Sequence, residues 1–191
     1  MRTVASILLI MMLAAAARAQ AGDVRPRAGA YLDISPGYAG VSLTTSGCSA
    51  STCSASQNVG GMGWSISIGG TFDPHWRLGA QLDSRPTTFG ASETEQVLFY
   101  TIAGTWYPME ESSLWIRANV GVGGVTLNGG SENTLAVGAG IGYDWFPFRS
   151  ELAVSPWVSY LAQVTSGNLG GSNGLAQVKM LSVGLAVGLR H

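Results

Sequence analysis

Few residues in this chain have the type and spacing to do chemistry. Cys48 and Cys53 are the only cysteines, within Gly-Cys-Ser-Ala-Ser-Thr-Cys. In an exported chain, two cysteines so close on a Ser-rich segment read as a local loop disulfide. Metal binding is the weaker reading, because neither His75 nor His191 lies near them. A hydrolase acting on lipid would need Ser, His and a carboxylate gathered at one rim. His75 follows Asp73 in Asp-Pro-His-Trp, which reads as turn chemistry, and His191 is the last residue. Glu110 and Glu111 are neighbours in another short polar turn, where both are solvated. The glycine clusters Gly138-Ala-Gly140-Ile-Gly142 and Gly121-Val-Gly123-Gly124 lack the G-x-G-x-x-G spacing ahead of a helix. No G-x-x-x-x-G-K-[ST] occurs either. The sequence therefore leads us to expect no catalytic, cofactor-binding or metal-ligating residue, and no enzymatic activity.

The elements that would position any site are shaped by an unusual composition. Of 191 residues, 46% are hydrophobic and 11% charged, with 27 glycines. Soluble domains carry about 25% charged residues, more than twice this fraction. A net charge of −1 leaves no electrostatic footprint for nucleic acid. Disorder is excluded by the same numbers, since apolar content is high and net charge small.

The N-terminus reads as a signal peptide. Arg2 supplies the positive region, and Val4 through Ala17 form an apolar run shorter than the ~20 residues of a spanning helix. Small residues then fit A-x-A cleavage after residue 19 or 21. The expected organisation is a signal peptide over 1–19 and one domain over 24–191.

Beyond residue 23 apolar residues recur at every second position, between breaks rich in Gly, Ser, Asn and Pro. The clearest stretch is 134–146. Leu135, Val137, Ala139, Ile141, Tyr143 and Trp145 fall on one face; Thr134, Ala136, Gly138, Gly140, Gly142 and Asp144 fall on the other. The stretches 29–42, 60–72, 76–84, 95–107, 114–122, 151–165 and 178–190 complete a set of eight. Pro36 interrupts the first, and both faces of 97–103 are fairly apolar.

The polar face of these strands is mostly Gly, Ser, Thr and Ala, too small and uncharged to solvate a protein surface. It suits a narrow lumen, while the charge-free apolar face suits lipid. The connections agree. Short links follow strands two, four and six, and longer polar links (44–58, 86–94, 126–133 and 165–174) follow the odd ones, the pattern of periplasmic turns and outer loops. Phe72, Trp76, Trp106, Tyr107, Trp115, Trp145, Phe146 and Phe148 crowd the short-turn end as an expected aromatic girdle. By parity Asp33, Arg77, Asp83, Arg117, Asp144 and Arg190 point inward, where a lumenal ion-pair network is the natural arrangement. Eight strands leave an interior about filled by side chains, so a plug is favoured over a path.

From about residue 24 to 191 the chain resembles the small eight-stranded outer-membrane β-barrel family. That family includes the OmpA transmembrane domain, OmpX- and OmpW-like proteins and opacity-type adhesins. The alternating strands carry the resemblance, together with the ending Ser182-Val-Gly-Leu-Ala-Val-Gly-Leu-Arg-His191. Members usually end such a strand with an aromatic residue, where this chain has His191. The resemblance implies an all-β, eight-stranded antiparallel up-and-down transmembrane barrel in a bacterial outer membrane. It also implies contact with outer-membrane lipid, handling by the barrel-insertion machinery, and an adhesion, stability or small-solute role. A structural or adhesin-like barrel is the first expectation, a narrow pore or conduit the second, and a lipid-modifying enzyme the third. The polar loops name no surface partner.

Overall fold

Antiparallel pairing, mostly between sequence neighbours, builds the described part of the molecule. The computed structural model describes residues 29–46, 54–88, 94–109, 113–127, 130–147, 152–164, 167–168 and 175–190. The signal segment, Cys48, Cys53, Glu110, Glu111, Phe148 and His191 lie outside the described residues. The strands are β1 (Gly29–Ser46), β2 (Ser54–Asp73), β3 (Trp76–Thr88), β4 (Thr94–Trp106), β5 (Leu114–Leu127), β6 (Gly130–Tyr143) and β7 (Leu152–Gln163). The two-residue β8 (Gly167–Asn168) and β9 (Leu175–Arg190) follow. Each long strand pairs with the next, and β9 returns to pair with β1 from Tyr31↔Arg190 to Ser46↔Leu175. Eight strands thus close into an up-and-down barrel, with β8 a short addition beside β9.

Several strands run further than the alternation of hydrophobics suggested. β1 continues to Ser46 and β2 begins at Ser54, through segments expected to be loop. Thr44↔Ser56 and Ser46↔Ser54 continue the ladder there with small polar residues. Thr suits a strand as well as Val does, and beyond the lipid a strand needs no apolar face. Pro36 sits inside β1 opposite Trp64 and does not break it. On the β9 side the register passes from Ile34↔Val187 to Gly37↔Gly184, because proline has no N–H to offer.

The two faces follow the parity of the sequence. Leu32, Ile34, Ile66, Ile68, Ile102, Val120, Leu135, Ile141, Leu185 and Leu189 are all exposed on the outside. Burying such side chains is worth about 1.5–3 kcal/mol each, so a water-facing barrel would turn them inward. Hydrocarbon removes that drive and demands closed backbone hydrogen bonding, which the β1–β9 pairing supplies.

The interior is not uniformly polar. Towards the long-loop end Ala39, Val41, Leu43, Val97, Phe99, Val125, Ala136, Leu161, Val178 and Met180 form one buried apolar cluster. The expected small and polar lining is kept in the half nearer the short turns, where Tyr107, Trp115, Trp157 and Ala186 pack among the polar groups. The reason lies in the chain: Val97 and Phe99 share the inward parity of Thr101, and Val178 and Met180 that of Ser182. The apolar inner face of 97–103 was the visible sign.

Candidate functional site

The polar half of the lumen is organised around two acceptors. Asp144, at the short-turn end of β6, is fully enclosed. Its Oδ2 accepts from the Tyr107 hydroxyl at 2.8 Å and from Arg77 Nη1 at 3.3 Å. Its Oδ1 accepts from Trp115 Nε1 at 3.0 Å and from the Ser155 hydroxyl at 2.7 Å. Arg77 Nη1 also donates to the Tyr107 hydroxyl at 2.5 Å. Its guanidinium lies 4.8 Å from the Tyr107 ring centroid and 5.7 Å from that of Tyr31. Strands β3, β5 and β7, with the residue after β4, thus converge on one carboxylate. A buried carboxylate is tolerable only when so surrounded.

One layer further in, Gln81 is the hub. Its Nε2 donates to both oxygens of Asp83, at 3.0 and 2.9 Å. Its Oε1 accepts from Arg117 Nη1 at 3.0 Å and from Asn119 Nδ2 at 3.2 Å. Arg117 Nε reaches the Thr105 hydroxyl at 2.9 Å, and its guanidinium stacks 4.7 Å from the Trp115 ring. Asn119 Nδ2 also donates to the Thr101 hydroxyl. Arg117 and Asp83 are therefore linked through a neutral amide. Asp33 is buried beside the same layer and borders a cavity of about 20 Å³ with Gln81, Arg117, Ser155 and Trp157. Such a volume holds about one water. Arg190 ends β9, opposite Tyr31.

Two residues assigned to the girdle lie inside instead. Tyr107 and Trp115 are only 1% and 4% exposed. Their polar tips seek Asp144, a partner that lipid does not offer. The Trp115 indole packs over Gly142, where a β-carbon would overlap it. Parity already held the signal, since Trp115 alternates with Arg117 and Asn119 on the inward set, as Tyr107 does with Thr105 and Ala103. Phe72, Trp76, Trp106 and Trp145 are exposed at the short-turn end, and Trp76 and Trp106 pair across the strands at 6.3 Å between centroids. Phe146 is half-buried.

The site also includes residues that a search for charge overlooks. Gln81, Asn119, Tyr107 and Ser155 supply most of its hydrogen bonds. Gln163 spans the barrel near the outer end, donating Nε2 to the Gly123 carbonyl at 2.6 Å and accepting from the Val178 N–H at 2.8 Å. Arg85 was also passed over. It is fully buried at the level of Val97, its partner across β3 and β4, and Nε, Nη1 and Nη2 have no hydrogen-bond partner. At the turn after β2, Asp73 Oδ1 accepts from the His75 and Trp76 N–H groups at 2.7 and 2.9 Å. His75 Nδ1 lies 2.8 Å from the Tyr107 carbonyl. Among the described residues no three His, Cys, Asp or Glu side chains gather as metal ligands.

No family model and no curated protein matches this sequence. Solved structures do match. The neisserial surface protein A superposes with a TM-score of 0.57 at 12% identity, over 85% of this chain and 97% of that one. The outer membrane protein OprG from Pseudomonas aeruginosa gives 0.55 at 13% identity, over 88% of this chain and 100% of that one. The outer membrane protein AlkL, solved in lipid bilayers, gives 0.50 at 13% identity, over 90% and 95%. At these identities the likeness is one of fold. With the exposed apolar band and the closed ladder, it identifies the chain as a small eight-stranded β-barrel of the bacterial outer-membrane type.

Proposed function

We propose that this protein serves the outer membrane as a closed structural or surface-interaction barrel, presenting its long-loop end to the exterior and passing nothing through its lumen. The apolar cluster around Phe99, Leu161 and Met180 carries this reading, because it fills the outer half of the interior. The cavities bordered by Asp33 and by Arg85 are each about 20 Å³, far below a continuous aqueous path. The fold shared with a neisserial surface protein supports a role at the cell exterior. The reading includes no catalysis: His75 is engaged in a short turn, at the end opposite the outer leaflet.

Single-channel recording in planar bilayers tests it. The wild-type protein should give no conductance steps, and Phe99→Ala with Leu161→Ala should admit small ones by hollowing the cluster. Steps from the wild-type barrel that Arg117→Ala alters would refute the closed reading. They would favour a narrow pore for small solutes.

A further inference from the structure

Two buried side chains that can only donate hydrogen bonds border one small cavity in the lumen, and neither meets an acceptor. The first is Arg85 of β3. It crosses the inner face of β2 over Gly61 and Gly63, which have no side chains to obstruct it. A β-carbon at Gly61 would lie 2.9 Å from Arg85 Nη2, and one at Gly63 3.5 Å from Arg85 Cβ. Arg85 is 1% exposed, and its Nε, Nη1 and Nη2 are without a hydrogen-bond partner. The second is Trp157 of β7. Its ring lies against Gly37 and Gly184, whose β-carbons would fall 3.4 and 2.8 Å from Cζ2, and its Nε1 is likewise buried and unpartnered.

The cavity they share measures about 20 Å³ and is also bordered by the buried Ser35, Ser65 and Ser182. Guanidinium and indole N–H groups have no lone pair to offer, so both need an acceptor. A cation left unmatched in a dry interior is costly. Asp83 is the one carboxylate on this border, yet Arg85 makes no hydrogen bond to it. Both oxygens of Asp83 accept from Gln81 Nε2, at 3.0 and 2.9 Å, and Gln81 Oε1 in turn holds Arg117. Asp144 is committed to Arg77. Asp33 borders the neighbouring cavity, which shares Ser35, Ser65 and Trp157 with this one.

A volume of this size takes about one water-sized occupant. Water would accept from two N–H groups at most and bring no charge. A halide ion of similar size accepts from every side and brings the countercharge that strengthens each bond.

We propose that this cavity is a binding site for a single monatomic anion of chloride size, held between the Arg85 guanidinium and the Trp157 indole N–H, with the serine hydroxyls around it. The ion ties β1, β2, β3, β7 and β9 together at the foot of the apolar cluster, to which Ala39 and Met180 on the same border belong. It acts as a strut in the closed lumen. The inference goes beyond the proposed role and does not depend on what the exterior binds.

The test is urea unfolding of the folded protein at fixed ionic strength, with sodium gluconate replaced stepwise by sodium chloride. Gluconate is too large for the cavity. A ligand that binds only the folded state stabilises with the logarithm of its concentration, so above the dissociation constant each tenfold rise in chloride should raise the folding equilibrium constant about tenfold. Arg85→Gln should abolish this dependence. Trp157→Phe, which keeps a ring and deletes the N–H, should weaken it. Asp83→Asn removes the nearest negative charge and should let chloride act at lower concentration. Crystals grown in bromide should show an anomalous-scattering peak within hydrogen-bond reach of both Arg85 and Trp157 Nε1. Equal stability of the wild-type protein in chloride and gluconate would overturn the proposal without recourse to any variant, and a bromide peak beside that result would mark an adventitious ion only. A chloride dependence undiminished in Arg85→Gln would place the ion elsewhere and overturn it too. A wild-type band that shows no mobility shift between boiled and unboiled gels would fault the barrel reading itself, and the proposal with it.

Discussion

Replacing Asp144 by Asn keeps the shape of the side chain and removes its charge, which makes it a sharp probe of the polar half of the lumen. In the native barrel both oxygens of Asp144 face donors, two on each. An amide has one acceptor oxygen, so in either orientation its NH₂ group meets one donor that cannot accept, Trp115 Nε1 or Arg77 Nη1, while the neighbouring hydroxyl can turn to accept from it. Buried hydrogen bonds to charged groups contribute about 1.5–3 kcal/mol each, and one is lost outright. Arg77, 4% exposed and paired at 3.3 Å, is left without its countercharge. Breaking a buried pair from one side costs about 3–5 kcal/mol. The two estimates describe the same loss and are not summed, so the expected destabilisation is about 3–5 kcal/mol. Urea unfolding of the barrel in lipid vesicles, followed by Trp fluorescence, would measure it. The companion Arg77→Met removes the stranded cation, and the double variant should recover about 2 kcal/mol over Asp144→Asn alone. An Asp144→Asn barrel within 1 kcal/mol of wild type, or a double variant as unstable as the sum of the singles, would refute the reasoning.

The outward band makes a depth-dependent prediction: Ile102→Arg should cost about 2–4 kcal/mol and Phe72→Arg only about 0–1, measured by the same unfolding assay. Equal costs would show that the exposed face does not lie in hydrocarbon. At Gly142 a β-carbon would meet both the Trp115 indole and the Pro156 carbonyl. Gly142→Ala should therefore destabilise by about 1–3 kcal/mol and shift Trp115 fluorescence, whereas Gly104→Ala, with open space around it, should do neither.

Much of the fold was legible because a barrel wall is written in a period of two. Leu135, Val137, Ala139 and Ile141 alternate with Ala136, Gly138 and Gly140 in the chain, and the closed sheet turns those sets to opposite sides. Composition settled which side was which, since the Gly/Ser/Thr face could not hold water around a whole protein. The strand ends were less legible. Above the lipid nothing forces an apolar alternation, and pairs such as Thr44↔Ser56 look like loop until their partners are known.

The site was legible as a set of directions and not as a set of bonds. Parity named Asp33, Arg77, Asp83, Arg117, Asp144 and Arg190 as inward residues, and of these Asp33, Arg77, Asp83 and Asp144 are buried. It could not say that Arg77 meets Asp144, 67 positions away, or that Gln81 stands between Arg117 and Asp83. Those contacts depend on the stagger of neighbouring strands and on which side chains cross the lumen at one height. The same stagger turns Tyr107 and Trp115 from apparent girdle members into donors to a buried carboxylate, and lays Arg85 over Gly61 and Gly63 on the inner face of β2, which no linear spacing reveals. What the sequence determined by itself is the wall, because facing is a local property of each strand. Only the closed barrel decided the interior, because the partners of a lumenal side chain lie on strands far away in the chain and are brought to its height by register alone.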